Sequence, residues 1–137
     1  MAVIEELIRT EEDGKISFGN HQLSDKAKKE DFESSGDIYK VKTYGALTKL
    51  EKNGMFLYES VPGTSVTGFA ETENGVSFTV SGSEDAQITV GLQDDTEYDV
   101  SVGGAEIGRM KTNMGGKLVV SLELTDDEEK AVTITRA

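Results

Sequence analysis

Hydrophobic and polar positions alternate with period two through most of the second half of the chain. Val76, Phe78 and Val80 alternate with small or polar residues, as do Ile88, Val90 and Leu92. Tyr98, Val100 and Val102 repeat the pattern, and Leu118, Val120, Leu122 and Leu124 extend it. Successive side chains of a strand point to opposite faces, so each segment reads as a strand with one apolar and one wet face. Seven such segments follow the only proline: 64–70, 75–81, 86–92, 97–102, 106–112, 117–124 and 130–136. Their spacing predicts an all-β protein, with a small antiparallel, immunoglobulin-like β-sandwich over residues 63–137. The expected core is Phe69, Phe78, Val80, Ile88, Val90, Leu92, Tyr98, Val100, Ile107, Leu118, Val120, Leu122, Val132 and Ile134.

Residues 1–62 predict a smaller antiparallel β-unit. Asp13-Gly14 turns a strand over 3–9 into one over 15–23. Asn-Gly pairs accept the positive φ of type I′ turns. A hairpin about Asn53-Gly54 sets Leu50 opposite Leu57 and Lys49 opposite Tyr58. A second about Asn74-Gly75 sets Phe69 opposite Val80 and Glu71 opposite Phe78. Gly103-Gly104 pairs Val100 with Ile107 and Val102 with Ala105, and residues 113–116 form a looser hairpin loop. Residues 24–33, with Ser24 as cap, predict a short helix or a charged loop. Residues 60–64, which hold Pro62 and Gly63, read as the junction between the two units.

Composition narrows the chemistry. Among 137 residues there is no Cys, so no disulfide, thiolate nucleophile or Cys-ligated zinc is available. The net charge of −12 is uneven: residues 1–62 carry 12 acidic and 9 basic side chains, residues 63–137 carry 14 and 5. Such an acid excess repels phosphate backbones and anionic lipid, so nucleic-acid and membrane partners are not expected. No run approaches the ~20 apolar residues needed to span a bilayer, and the first residues lack a basic, apolar leader pattern. The expected location is the cytoplasm, free or within a particle or released assembly.

No catalytic constellation emerges. His21 is the only histidine, and a lone His in a strand is most often structural. No nucleophile-elbow or phosphate-cradling glycine pattern is present. The densest oxygen-ligand group is Asp94, Asp95, Glu97 and Asp99, with Glu84 and Asp85 one loop earlier. It does not follow the spacing of an EF-hand loop, and it is only a weak calcium candidate. Asp126 to Glu129 reads as a charged turn. No cofactor is expected.

Residues 92–102 resemble the L-x-x-x-T-x-Y-x-V-x-V segment of fibronectin type III and related immunoglobulin-like modules. That resemblance gives Tyr98 the structural role of a tyrosine corner, with its hydroxyl bonded to nearby backbone. Thr112, Gly116 and Leu118 resemble the T-x-x-x-G-x-L hairpin of bacterial β-sandwich accessory domains. Glu51 to Met55, Tyr58 to Gly63 and Lys111 to Asn113 are similar to segments of short uncharacterised Firmicute β-proteins often labelled "endosialidase". A sialidase site calls for an arginine cluster, whereas Arg9, Arg109 and Arg136 lie on three separate segments.

These readings converge on a non-catalytic structural or interaction protein that associates with itself or another protein. Its expected interaction residues are Val3, Ile4, Leu7 and Ile8 together with Met55, Phe56, Leu57 and Tyr58. The second group breaks alternation, which would leave apolar side chains on both strand faces. A carbohydrate- or ligand-binding accessory module is the alternative, and a glycan-active enzyme the weakest reading.

Overall fold

A computed structural model describes residues 3–125 and 128–137 of the chain, so Asp126 and Asp127 of the expected acidic turn fall outside the described residues. The described residues contain no helix, and so none long and apolar enough to cross a membrane. They form β1 (Ile8–Thr10), β2 (Ile16–Phe18), β3 (Ala27–Ser34), β4 (Asp37–Tyr44), β5 (Leu47–Lys52), β6 (Met55–Val61) and β7 (Ser65–Thr72). The chain continues through β8 (Gly75–Ser81), β9 (Ala86–Gly91), β10 (Glu97–Val102), β11 (Ala105–Lys111), β12 (Lys117–Leu122) and β13 (Glu129–Arg136). Two antiparallel sheets result, ordered β1-β2-β7-β8-β13-β10-β11 and β12-β9-β6-β5-β4-β3.

Period-two patterning set the inward faces. Val76, Phe78 and Val80 of β8, Ile88 and Val90 of β9, and Leu118, Val120 and Leu122 of β12 are all buried. At the centre Tyr58 packs edge-on against Phe18, Phe69 and Phe78, with ring centroids 5.3, 6.3 and 5.6 Å away. Burying each such ring contributes on the order of 1.5–3 kcal/mol. Of the expected core, Leu92 is only partly buried, and Ile107 is 45% exposed.

The expected seam at residue 62 does not separate two hydrogen-bonded units. Strand β2 pairs with β7, and β6 pairs with β9, so both sheets draw strands from both sides of it. Residues 60–64 instead carry the chain from one sheet to the other. Residues 24–33 hold no helix, because they contribute most of β3, which pairs with β4. A helix there would bury only Ala27 and Phe32, whereas an exposed edge strand suits Lys28, Lys29, Glu30 and Asp31. The loop over 113–116 is a crossover and not a hairpin, since β11 and β12 belong to different sheets.

Three registers shift from expectation, each by a local device. At Asn53-Gly54 the turn is as expected, with Lys52 opposite Met55, but a bulge then sets Leu50 opposite Tyr58. Leu57 is the extra residue, and both Leu57 and Tyr58 turn inward. The second turn falls one residue early, on Glu73-Asn74, with Thr72 opposite Gly75 and Glu71 opposite Val76. Gly75 then approaches β13 so closely that a Cβ would lie 1.8 Å from the Ile134 carbonyl oxygen. The Gly103-Gly104 turn pairs Val102 with Ala105, but a bulge sets Val100 opposite Gly108 and pushes Ile107 out.

Candidate functional site

The expected interaction residues are divided by the fold. Ile4, Ile8, Leu57 and Tyr58 are buried in the chain's own core, Val3, Leu7 and Phe56 are half-buried, and Met55 is 72% exposed. The bulge at Leu57 accounts for the broken alternation of β6. It places two consecutive apolar side chains inside and removes the need for a second covering layer.

A buried hydroxyl network that sequence reasoning missed lies beneath the junction. Thr64 Oγ1 lies 2.7 Å from the Tyr58 hydroxyl and 2.8 Å from Ser60 Oγ. Thr48 Oγ1 donates to the Thr64 carbonyl at 2.7 Å and accepts from its N–H at 3.1 Å. Thr43 Oγ1 lies 2.8 Å from Thr48 Oγ1 and accepts the Asn20 N–H. His21 Nδ1 lies 2.8 Å from Ser65 Oγ. Both residues are buried, 5% and 1% exposed, so the pair ties the 19–23 loop to β7 and does not face solvent. Burial drives the Tyr58 phenol well above its ordinary pKa. Signals for this network existed only as scattered Ser and Thr at inward strand positions.

Tyr98 accepts a hydrogen bond from the Gln93 N–H at 3.2 Å, five residues upstream. Thr112 secures the same corner: its hydroxyl donates to the Gln93 carbonyl at 2.7 Å and accepts the Thr96 N–H at 2.9 Å. Asp94 and Asp95 sit in the adjoining loop, while Glu97 and Asp99 lie on β10. Asp99 pairs with Arg109 at 3.0 Å and Asp95 with Lys111 at 3.1 Å. Among the described residues no group of three or more acidic or imidazole side chains converges as a metal site. Arg9, Arg109 and Arg136 lie on β1, β11 and β13, the first two at opposite edges of one sheet.

One end of the sandwich opens into a cleft of about 520 Å³. Leu57, Phe69, Val76 and Tyr98 line it, with Lys52, Glu71, Glu73, Gln93, Lys117 and Arg136 also on its wall. Lys52 is ion-paired with Glu71 at 2.8 Å, which together with Asp37 holds the ammonium above its ordinary pKa. Lys117 Nζ sits 4.6 Å from the Phe56 ring centroid.

The four sheet edges differ. Strand β1 has three residues, β3 is charged and bulged over Glu30 and Asp31, and β11 is bulged at Ile107 and carries Glu106, Arg109 and Lys111. Strand β12 is regular along all six pairs with β9 and carries one charge, Lys117. The Gly116 carbonyl accepts the Leu92 N–H. In an antiparallel ladder that places the main-chain groups of Lys117, Val119 and Ser121 on the open side. Asn113 occupies those of Lys117, through its side chain and its own N–H. Among the described residues none pairs with those of Val119 or Ser121.

No protein-family model matches the chain, and no curated protein or solved structure matches it.

Proposed function

We propose that the protein is a non-catalytic structural or interaction protein that associates with copies of itself, and that β12 is the joining edge. The observation that supports this is the contrast among edges: β12 alone combines a six-residue length with an unbulged ladder and a single charge. An unguarded edge is a template for pairing with another chain. The segment from Lys117 to Glu123 is also self-complementary about Val120. An antiparallel pair centred there bonds Val119 to Ser121 in both directions and sets Leu118 opposite Leu122. Asn113 fills the open side at Lys117, so the pair spans Leu118 to Leu122. Native mass spectrometry and light scattering at micromolar concentration test the reading. Ser121→Pro removes an outward N–H without touching the ladder to β9, so the folded variant should be monomeric where the parent is dimeric. A clean parent monomer of 14.8 kDa at every concentration overturns it.

The end cleft favours a second reading, a ligand-binding module. Its apolar floor and mixed polar rim have the composition of a small-molecule site. Saturable binding of a small aromatic or glycan ligand by the Ser121→Pro monomer, lost in Arg136→Glu, would support it.

A further inference from the structure

We infer that the outer face of the six-stranded sheet is a docking surface for an acidic protein segment that also carries apolar side chains. The face breaks a rule of sheet stability. Lys28 on β3 stands directly opposite Lys42 on β4, and Lys42 directly opposite Lys49 on β5. Adjacent strands lie about 4.8 Å apart, so three ammonium-bearing side chains rise from neighbouring positions in one row. Like charges in directly opposed positions destabilise a sheet. Among the described residues Lys42 and Lys49 make no ion pair, although Glu59 ends the row opposite Lys49. Lys28 is paired only along its own strand, with Glu30 at 3.3 Å. A chain with 26 acidic and 14 basic residues has therefore set three lysines side by side on one face, two of them without an ion pair among the described residues. Local rules broken without a compensating contact mark sites selected for something other than folding.

The row beside the lysines identifies the partner's chemistry. Tyr44 is opposite Leu47 on the same outer face, with the 55% exposed Val61 on the neighbouring strand. A cationic row flanked by an apolar row complements a polypeptide bearing carboxylates and apolar side chains. A phosphate backbone would engage the lysines and leave Leu47 and Val61 uncovered, and the molecule's overall negative charge would oppose it. This inference is independent of self-association, because β6 and β9 separate the lysine row on β3 to β5 from the β12 edge.

The test uses the full chain and two probes, a random glutamate–tyrosine copolymer and a single-stranded oligothymidylate of matched charge, titrated by fluorescence anisotropy at low salt. The copolymer should bind more tightly than the oligonucleotide, and its affinity should fall as salt rises. Lys42→Glu should weaken copolymer binding by about tenfold or more. Lys130→Glu, on the other sheet, changes net charge equally and should leave binding nearly unchanged. Lys42→Glu also converts two repulsive pairs into attractive ones, so its thermal midpoint should rise by roughly 1–4 °C. Tighter binding of the oligonucleotide would overturn the inference, as would absence of binding or equal losses in the two variants.

Discussion

The Tyr58 hydroxyl lies 2.7 Å from Thr64 Oγ1, and both side chains are fully buried. Tyr58 belongs to the six-stranded sheet, and Thr64 to the strap that leads into the seven-stranded one. The contact therefore ties the crossing segment to the aromatic centre of the sandwich. Ser60 shares the same Thr64 oxygen at 2.8 Å. Replacing Thr64 by Val keeps the shape and strands two buried hydroxyls. A buried polar group left unpaired costs about 1–3 kcal/mol. Thr64→Val should thus destabilise more than Tyr58→Phe, which strands none completely, since Thr64 retains Ser60. In urea unfolding, the double variant should lose less than the sum of the two single losses. Strict additivity would mean that the two groups do not interact.

The exposure of Ile107 gives a second prediction. Val100 is 1% exposed, and its expected partner Ile107 is 45% exposed on the far side of a bulge. Val100→Asp should abolish cooperative folding, because it buries an unpaired charge. Ile107→Asp should shift stability by no more than about 0.5 kcal/mol, as surface substitutions do. Comparable losses in the two variants, read by circular dichroism melts, would restore the unbulged register.

Alternation was legible wherever the ladder is regular. All seven segments after Pro62 are strands, and β8, β9 and β12 bury the residues that period two points inward. Bulges were not legible, because an extra residue leaves no mark beyond a break in alternation. At Met55 to Tyr58 that break suggested an outer covering layer, whereas Leu57 simply doubles the inward residues. Sheet membership was equally hidden. Asn113 to Gly116 has the residues of a hairpin loop, yet its Asn113 side chain caps the start of β12 after a crossing between sheets. Strand order depends on long-range packing, which neither turn chemistry nor periodicity encodes. For the candidate surfaces, the regular β12 and the lysines of β3 to β5 were visible as residues. Their status as an open edge and a like-charged row required the pairing.

Acid should weaken the β1–β2 hairpin through Glu11. Ser17 Oγ donates to its carboxylate, and Arg9 pairs with it at 3.0 Å. The Ser17 bond first, and then Arg9, holds the carboxyl below its ordinary pKa. A depressed carboxyl stabilises the fold above the ordinary carboxylate range, and that contribution disappears as pH falls through the lowered value. The side chain is about one-third exposed, so solvent screens the effect. Glu11→Gln should narrow the difference in melting temperature between about pH 6 and pH 3. A Glu11→Gln profile that parallels the parent across this range would show that the Ser17 and Arg9 contacts do not favour the charged form.

The close approach of Gly75 to Ile134 should make Gly75 the least replaceable of the turn-region glycines. Its φ of +150° is rare for residues with side chains, and an added Cβ would meet the Ile134 carbonyl oxygen at 1.8 Å. That oxygen is backbone in the interior strand β13, which cannot rotate aside as a side chain would. Gly103 has a φ of +60° and nothing within 4 Å of the same added atom. Gly103→Ala therefore carries only the left-handed backbone cost, about 1–2 kcal/mol. Gly75→Ala adds a steric clash and should push β8 off β13, which costs on the order of 1–3 kcal/mol more. Urea midpoints of the two variants separate the contributions. Equal losses would mean that β8 slides away from Ile134 at no cost, and that the Gly75 approach does not fix the register of the seven-stranded sheet.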